Sequence, residues 1–313
     1  MKLEKVGFYV VQSIMIQLSL SILSFSLLFL PYSSAYEGTW VDADIDYCKK
    51  TYLCTKSFKT WQSDQTSTLI IPWNNTTGCD IILSRGINRL MFFGDSYMRH
   101  IYIAMLLTLS NNYRNAGLSR PNENCEYSKQ FDEKECRSML KLSSTVCNSK
   151  LRLMYSFDIP GSNICNPSQL SFLSVGNHPV DYNYNTRHGV NNATIYATKF
   201  KHTELCRTLV TKHNFNISMQ CPFFWVSTHA RFKGSNDERM EQIKAYNEDM
   251  RAFFSDPSHC GSVKYIDVYN MTASLLSNMY EDAKLLTHDG AHWSIEVNLI
   301  KAQILLNNIQ SQL

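Results

Sequence analysis

The chain has 313 residues, of which 44% are hydrophobic and 18% charged, with a net charge of +3. That is enough apolar material for one large domain or two small ones, each with a real core. The charge is too weak, and no basic stripe dense enough, for nucleic acid to be a partner, and the lack of internal repeats or low-complexity tracts excludes solenoid and linker architectures.

Residues 1–35 stand apart. Lys2 and Lys5 precede an apolar run from Val6 to Leu30, and Ser33, Ser34 and Ala35 form a small-x-small cleavage site. The segment reads as a cleaved signal peptide, or as an uncleaved signal anchor, because the run is long enough to span a bilayer. Both readings keep the lysines cytosolic and send the remainder into the secretory lumen or outside the cell. Ten cysteines follow, at positions 48, 54, 79, 125, 136, 147, 165, 206, 221 and 260. Their number is even and no Cys/His spacing suits zinc, so disulfides are expected and no metal, with connectivity left open. Sequons beginning at Asn74, Asn75, Asn192, Asn216 and Asn270 mark candidate glycosylation sites in the same compartment.

Residues 36–84 read as an irregular, strand-poor lobe stapled by disulfides. From residue 85 to 313 the pattern changes. Short apolar runs ("RLMFFG", "LRLMYSFDI", "SQLSFLSVG", "MQCPFFWVST", "SVKYIDVYNM") predict strands. They alternate with helical patterns over "SYMRHIYIAMLLTLS", "ATKFKHTELCRTLVTKH", "ERMEQIKAYNEDMRAFFSD" and "WSIEVNLIKAQILLNNIQ". Residues 111–150 read as a polar, cysteine-bearing excursion. The alternation predicts an α/β domain with a central parallel sheet and helices on both faces, a three-layer α/β/α architecture. In such sheets ligands sit beyond the C-terminal strand ends.

Three strand-end clusters therefore matter. Gly94, Asp95 and Ser96 follow the first strand, where a helix N-terminus favours a developing oxyanion. The plainer role for Asp95 or Ser96 is to cap that helix. Gly176, Asn177 and His178 follow "SFLSV", where a glycine N–H and an Asn amide suit an oxyanion hole. Asp289 lies three residues before His292, a spacing that lets a carboxylate hold Nδ1–H and leave Nε2 to take a serine proton. A turn former and a helix-start residue would look the same.

Taken in order, "GTWVD", "IPWNNTTGCD", "MFFGDSYMRH", "SVGNHP", "IDVYNMT" and "DGAHWS" resemble the SGNH (GDSL-type) hydrolase superfamily. Within it they are most similar to the PC-esterase group, which includes plant trichome-birefringence-like polysaccharide O-acetyltransferases and the lumenal domain of sialic acid O-acetyltransferases. The resemblance covers most of residues 36–313 and implies a flavodoxin-like fold. It implies Ser96 as nucleophile, His292 as general base and acid, and Asp289 as its orienting carboxylate. Ser96, Gly176 and Asn177 would form the oxyanion hole; plant members carry a His-Trp pair where this chain has Asn177 and His178. Arg99, His178 and His229 are candidate substrate-binding residues.

The implied function is O-acyl, above all O-acetyl, transfer to glycans, or their deacylation, in the Golgi lumen or outside the cell. No bound cofactor is expected, only an acyl donor if the reaction is a transfer. With one apolar segment the chain cannot carry acyl groups across a membrane, so a transferase would need a lumenal donor or a polytopic membrane partner. The rival expectation is a non-catalytic glycan-binding or signalling protein that keeps the esterase fold.

Overall fold

The computed structural model describes residues 38–63, 72–157, 168–174, 223–232, 237–255 and 263–313. All lie in one compact unit, Ala35–Leu313. The leader, Cys165, Cys206, Cys221, Cys260, Asn192, Asn216 and the helical pattern over 197–213 fall outside the described residues.

The chain enters through β1 (Gly38–Asp42), α1 (Ile45–Thr51) and β2 (Lys59–Ser63). β1 and β2 pair antiparallel, with Trp40 opposite Trp61 and their rings edge-on at 5.5 Å. Cys48–Cys54 closes the turn around α1. α2 (Asn75–Ser84) begins with a reciprocal capping box between Asn74 and Thr77, which satisfies two N–H groups that the first turn leaves open. The region expected to be strand-poor and irregular holds, among the described residues of 38–84, two short strands and two helices. They do not float free. Trp40 Nε1 donates to the Met271 carbonyl at 3.1 Å. Trp73 exchanges backbone hydrogen bonds with the Gln303 side chain.

The central sheet contains β3 (Arg89–Gly94), β4 (Ser143–Val146), β5 (Leu151–Ser156), β6 (Gln169–Ser174), β7 (Phe223–Val226) and β8 (Val263–Ile266), in the order β4-β5-β3-β6-β7-β8. β5, β3, β6, β7 and β8 are parallel; β4 runs antiparallel to β5. The sheet is therefore mixed, not all parallel, because β4 reaches β5 through a tight turn at Cys147–Ser149, all three at positive φ, instead of a crossover helix. The five parallel strands follow the doubly wound order 2-1-3-4-5. The order reverses at β3, so the crevice beyond its C-terminal end is the switch point where ligands bind.

Helices cover both faces. α3 (Ser96–Ser110), α7 (Ile295–Gln312) and α2 pack on one face with Phe92, Phe172 and Phe224. These three rings stack across β3, β6 and β7 at 5.1 and 5.5 Å. On the other face Phe93, Leu173 and Trp225 meet α4 (Asp237–Ser255) through Ile243, Tyr246, Met250 and Phe254. α3 is buried on every side from Tyr97 to Leu109, as a helix enclosed by a sheet and two other helices must be. Between β8 and α7 run two short helices the pattern did not predict, α5 (Tyr269–Asn278) and α6 (Tyr280–Leu285). The excursion at 111–150 holds three 3-10 turns as well as β4. Cys125–Cys136 staples it, and Cys79–Cys147 ties α2 to the end of β4. Three disulfides are compatible with an extracellular or secretory-pathway location. No helix among the described residues is long and apolar enough to cross a membrane.

Candidate active site

The site begins where β3 stops. Gly94 has φ of 145°, and a Cβ there would lie 1.8 Å from the Ser174 carbonyl oxygen on β6. Only glycine permits so close an approach. The Tyr155 hydroxyl donates to the Gly94 carbonyl at 2.9 Å and fixes the turn. Asp95 is the N-cap of α3, and its carboxylate accepts the Tyr97 N–H at 3.0 Å. The capping role thus falls to Asp95, and Ser96 is spared it. Ser96 opens the helix, and its N–H donates to no described residue.

Opposite lies the loop before α7. Thr287 bridges Trp293, and Ser294 N–H donates to the Leu286 carbonyl at 2.7 Å, closing the loop at its base. Inside it Asp289 Oδ1 accepts the N–H groups of Ala291 and His292 at 2.8 and 2.9 Å. Gly290, with φ of 79°, makes the turn. Asp289 Oδ2 lies 2.8 Å from His292 Nδ1, and His292 Nε2 lies 2.7 Å from Ser96 Oγ. An ionised carboxylate can only accept, so Nδ1 carries the proton and Nε2 accepts from the serine. Burial pushes the Asp289 carboxyl up, but the bonds from His292 and the two backbone N–H groups outweigh it and hold the group well below the usual carboxylate range. It stays charged at neutral pH, as the relay requires.

The structure thus brings Ser96, His292 and Asp289 into one hydrogen-bonded line at the switch point of the sheet. Gly176, Asn177 and His178 lie outside the described residues. Arg99 and His229, expected as substrate-binding groups, are both buried beside the cluster. Arg99 is 4% exposed and pairs inside the protein with Glu133 while its guanidinium lies over the Tyr155 ring. His229 is 1% exposed, with one ring nitrogen against the Ala291 carbonyl and the other against Lys301. Neither offers a solvent-facing donor, because each is engaged from within the core.

Two further residues belong to this region. Glu133, in the stapled excursion, accepts from both Arg99 and His100. His100 is fully buried, with its ring 5.1 Å from that of His292. Burial lowers its pKa to about 4 despite the Glu133 partner, so it is neutral at pH 7. Burial raises Glu133, yet hydrogen bonds from His100 and Arg99 dominate and bring it down to about 2. The Ser96–His100 spacing of four residues on one helix was the one available hint.

Of the sequons, Asn74 and Asn270 are exposed and Asn75 is half-buried. Asn74 caps α2, and the Asn270 amide donates to Asp267 at 2.8 Å. No three His, Cys, Asp or Glu among the described residues are grouped to hold a metal ion. No family model matches the chain, and no curated protein matches it.

Proposed function

We propose that the chain is a serine-dependent acyl-transfer enzyme that adds or removes acyl groups, in the first place acetyl, on glycans in the secretory pathway. One observation carries the reading: Ser96 Oγ, His292 and Asp289 form an unbroken donor–acceptor line, with distances of 2.7 and 2.8 Å, at a helix N-terminus. The resemblance of its Gly-Asp-Ser and Asp-x-x-His segments to SGNH hydrolases of the PC-esterase group supports it, as does the 2-1-3-4-5 strand order.

In the proposed cycle Ser96 Oγ attacks an ester carbonyl while its proton passes to His292 Nε2. The new oxyanion is held by the Ser96 N–H and the positive end of α3, with Gly176 and Asn177 as expected further donors. Collapse breaks the ester bond, and His292 returns the proton to the departing alkoxide. An acceptor hydroxyl, deprotonated by His292, then attacks the acyl carbonyl; the bond to Ser96 Oγ breaks, and His292 returns the proton to the serine. Water as acceptor makes an esterase; a sugar hydroxyl makes an O-acyltransferase, which needs a lumenal acyl donor or a polytopic membrane partner to supply one.

The test uses protein secreted from a eukaryotic host, incubated with an activated acetyl ester with and without mixed oligosaccharides, beside Ser96→Ala. Serine-dependent acetate release supports hydrolysis, and serine-dependent mass gain on a sugar supports transfer. Absence of both, with no trapped acyl-Ser96, removes the catalytic reading.

A further inference from the structure

Lys301 and His229 have no part in the chemistry just described. Lys301, on α7, is 0% exposed, and its Nζ lies 2.7 Å from His229 Nδ1 and 3.3 Å from Asn298 Oδ1. No carboxylate among the described residues pairs with it. Burying an ammonium without an anion is unfavourable, and a methionine would fill the same space without that cost. Burial accordingly drives the Lys301 pKa well below its ordinary value.

The contacts of the histidine fix how the amine binds it. The Ala291 carbonyl can only accept, so Lys301 Nζ donates to His229 Nδ1 and the ring proton sits on His229 Nε2–H. That N–H points at the carbonyl oxygen of Ala291, 3.1 Å away, one residue before His292. The opposite tautomer would set a nitrogen lone pair against that carbonyl oxygen and push the loop away. The same imidazole stacks on Tyr97 with centroids 3.6 Å apart and planes 26° apart. Tyr97 follows Ser96 directly and meets the His292 ring edge-on at 5.5 Å. One ring therefore touches both halves of the site: the helix that carries the nucleophile and the loop that carries the base.

We infer that Lys301 and His229 form a positioning pair, in which the lysine holds the imidazole at Nδ1 and the histidine clamps the His292 loop onto the Ser96 helix. The inference rests on the acyl-transfer reading of Ser96 and His292. Both act through other residues, since both are buried away from solvent. Loss of the clamp lets His292 Nε2 drift from Ser96 Oγ, and a misplacement of about 1 Å lowers a chemical step by about 100-fold without weakening ground-state binding.

The experiment uses full-length protein labelled with nitrogen-15 at histidine and a fluorophosphonate that phosphonylates an activated serine. Wild type, Lys301→Met, His229→Leu, His229→Gln and Ser96→Ala are compared. Nitrogen shifts should report His229 protonated at Nε2 in wild type, and a displaced Nδ1 signal in Lys301→Met, where the hydrogen bond to that nitrogen is lost. Lys301→Met and His229→Leu should lower kinact by about 100-fold with KI unchanged. His229→Gln, which keeps an N–H for Ala291, should recover most of that loss. Wild-type labelling rates in folded Lys301→Met and His229→Leu would overturn the clamp, and so would equal impairment of the Gln and Leu variants. If Ser96 of the wild type is never labelled, the acyl-transfer reading falls on its own. The clamp is then judged by nitrogen shifts: it stands if Lys301→Met moves both the His229 and the His292 ring signals, and falls if it does not.

Discussion

Asp289→Asn tests the proposed relay with the smallest change in shape. Asp289 Oδ1 receives two backbone N–H groups, at 2.8 and 2.9 Å. Only an oxygen can do so, and the asparagine carbonyl must therefore take that place. Its NH2 group then faces His292 Nδ1, where the native carboxylate accepts at 2.8 Å. Two donors cannot share that contact, so the ring proton moves to Nε2, and Nε2 then donates to Ser96 instead of accepting from it. The charge-assisted bond that is lost is worth about 1.5–3 kcal/mol, and reversing the tautomer for each turnover adds to it. Full inversion in a buried Ser-His-Asp triad costs about 10⁴ in rate. The Asp289 side chain is 49% exposed, so water relieves part of the conflict, and a loss of about 10³, or roughly 4 kcal/mol of barrier, is expected. The assay is the rate of Ser96 phosphonylation, with the melting temperature read in parallel. The melting temperature should hardly move, because the turn keeps both of its N–H bonds. A labelling rate within about fivefold of wild type would reduce Asp289 to a turn former and refute the relay.

Other substitutions probe the frame around the site. Gly94→Ala sets a Cβ 1.8 Å from the Ser174 oxygen at φ of 145°; a loss of more than about 4 kcal/mol is expected, seen as failed secretion, and normal yield would contradict the described junction. Replacing Cys79 and Cys147 together by alanine opens a loop of 68 residues, worth up to about 4 kcal/mol in the chain-entropy picture, and a urea midpoint unchanged from wild type would deny the bond its role. His100→Phe should flatten the pH dependence of stability. Unfolded His100 takes a proton below its ordinary pKa of 6.5, whereas folded His100 resists until about 4. Between those values the unfolded state binds more protons, so wild-type stability falls with pH there. Urea titrations at pH 6.5 and 4 should show a smaller drop in the variant, although its stability at pH 7 is lower because Glu133 loses a donor; an undiminished drop would place the titration elsewhere.

The short apolar strands were legible from local pattern, whereas Ser96, Asp289 and His292 stood out as strand-end clusters that a cap or a turn would also explain, and only the resemblance joined them across 196 residues. "RLMFFG" is apolar on both faces because both faces of β3 are covered, and Asp289 and His292 meet through a turn only four residues long. What escaped depends on long-range pairing. The β4 strand, "SSTV", has no alternation to betray it and exists because β5 offers it an edge. α2 announced itself through Asn74 and Thr77, but the cap was read only as a pair of sequons. Glu133 reaches Arg99 and His100 from 34 and 33 residues away, and no spacing encodes that. His229 was noticed for its place after a strand, yet its role depends on Lys301, 72 residues downstream. A lysine within an amphipathic helix pattern reads as solvated surface until the packing around it is known.

Gly94, Asp95 and Ser96 show how the junction divides its labour. A helix start needs a cap, and serine is among the best caps. Had Ser96 capped α3, its oxygen would have been turned toward a backbone N–H and lost to His292. Asp95 takes that task one residue earlier. The first helical position then keeps both a hydroxyl free for the imidazole and an N–H free at the positive end of the helix. Gly94 lets β3 approach β6 closely enough for the turn to sit inside the switch-point crevice. Each residue of the triplet meets a separate requirement: a side chain at 94 collides with Ser174, a glycine at 95 leaves the Tyr97 N–H without its side-chain partner, and an aspartate at 96 would place a second carboxylate against the imidazole that Asp289 already holds. The local chemistry of helix capping and the proposed chemistry of acyl transfer are thus assigned to adjacent residues, and the proximity of Ser96 to His292 depends on that separation.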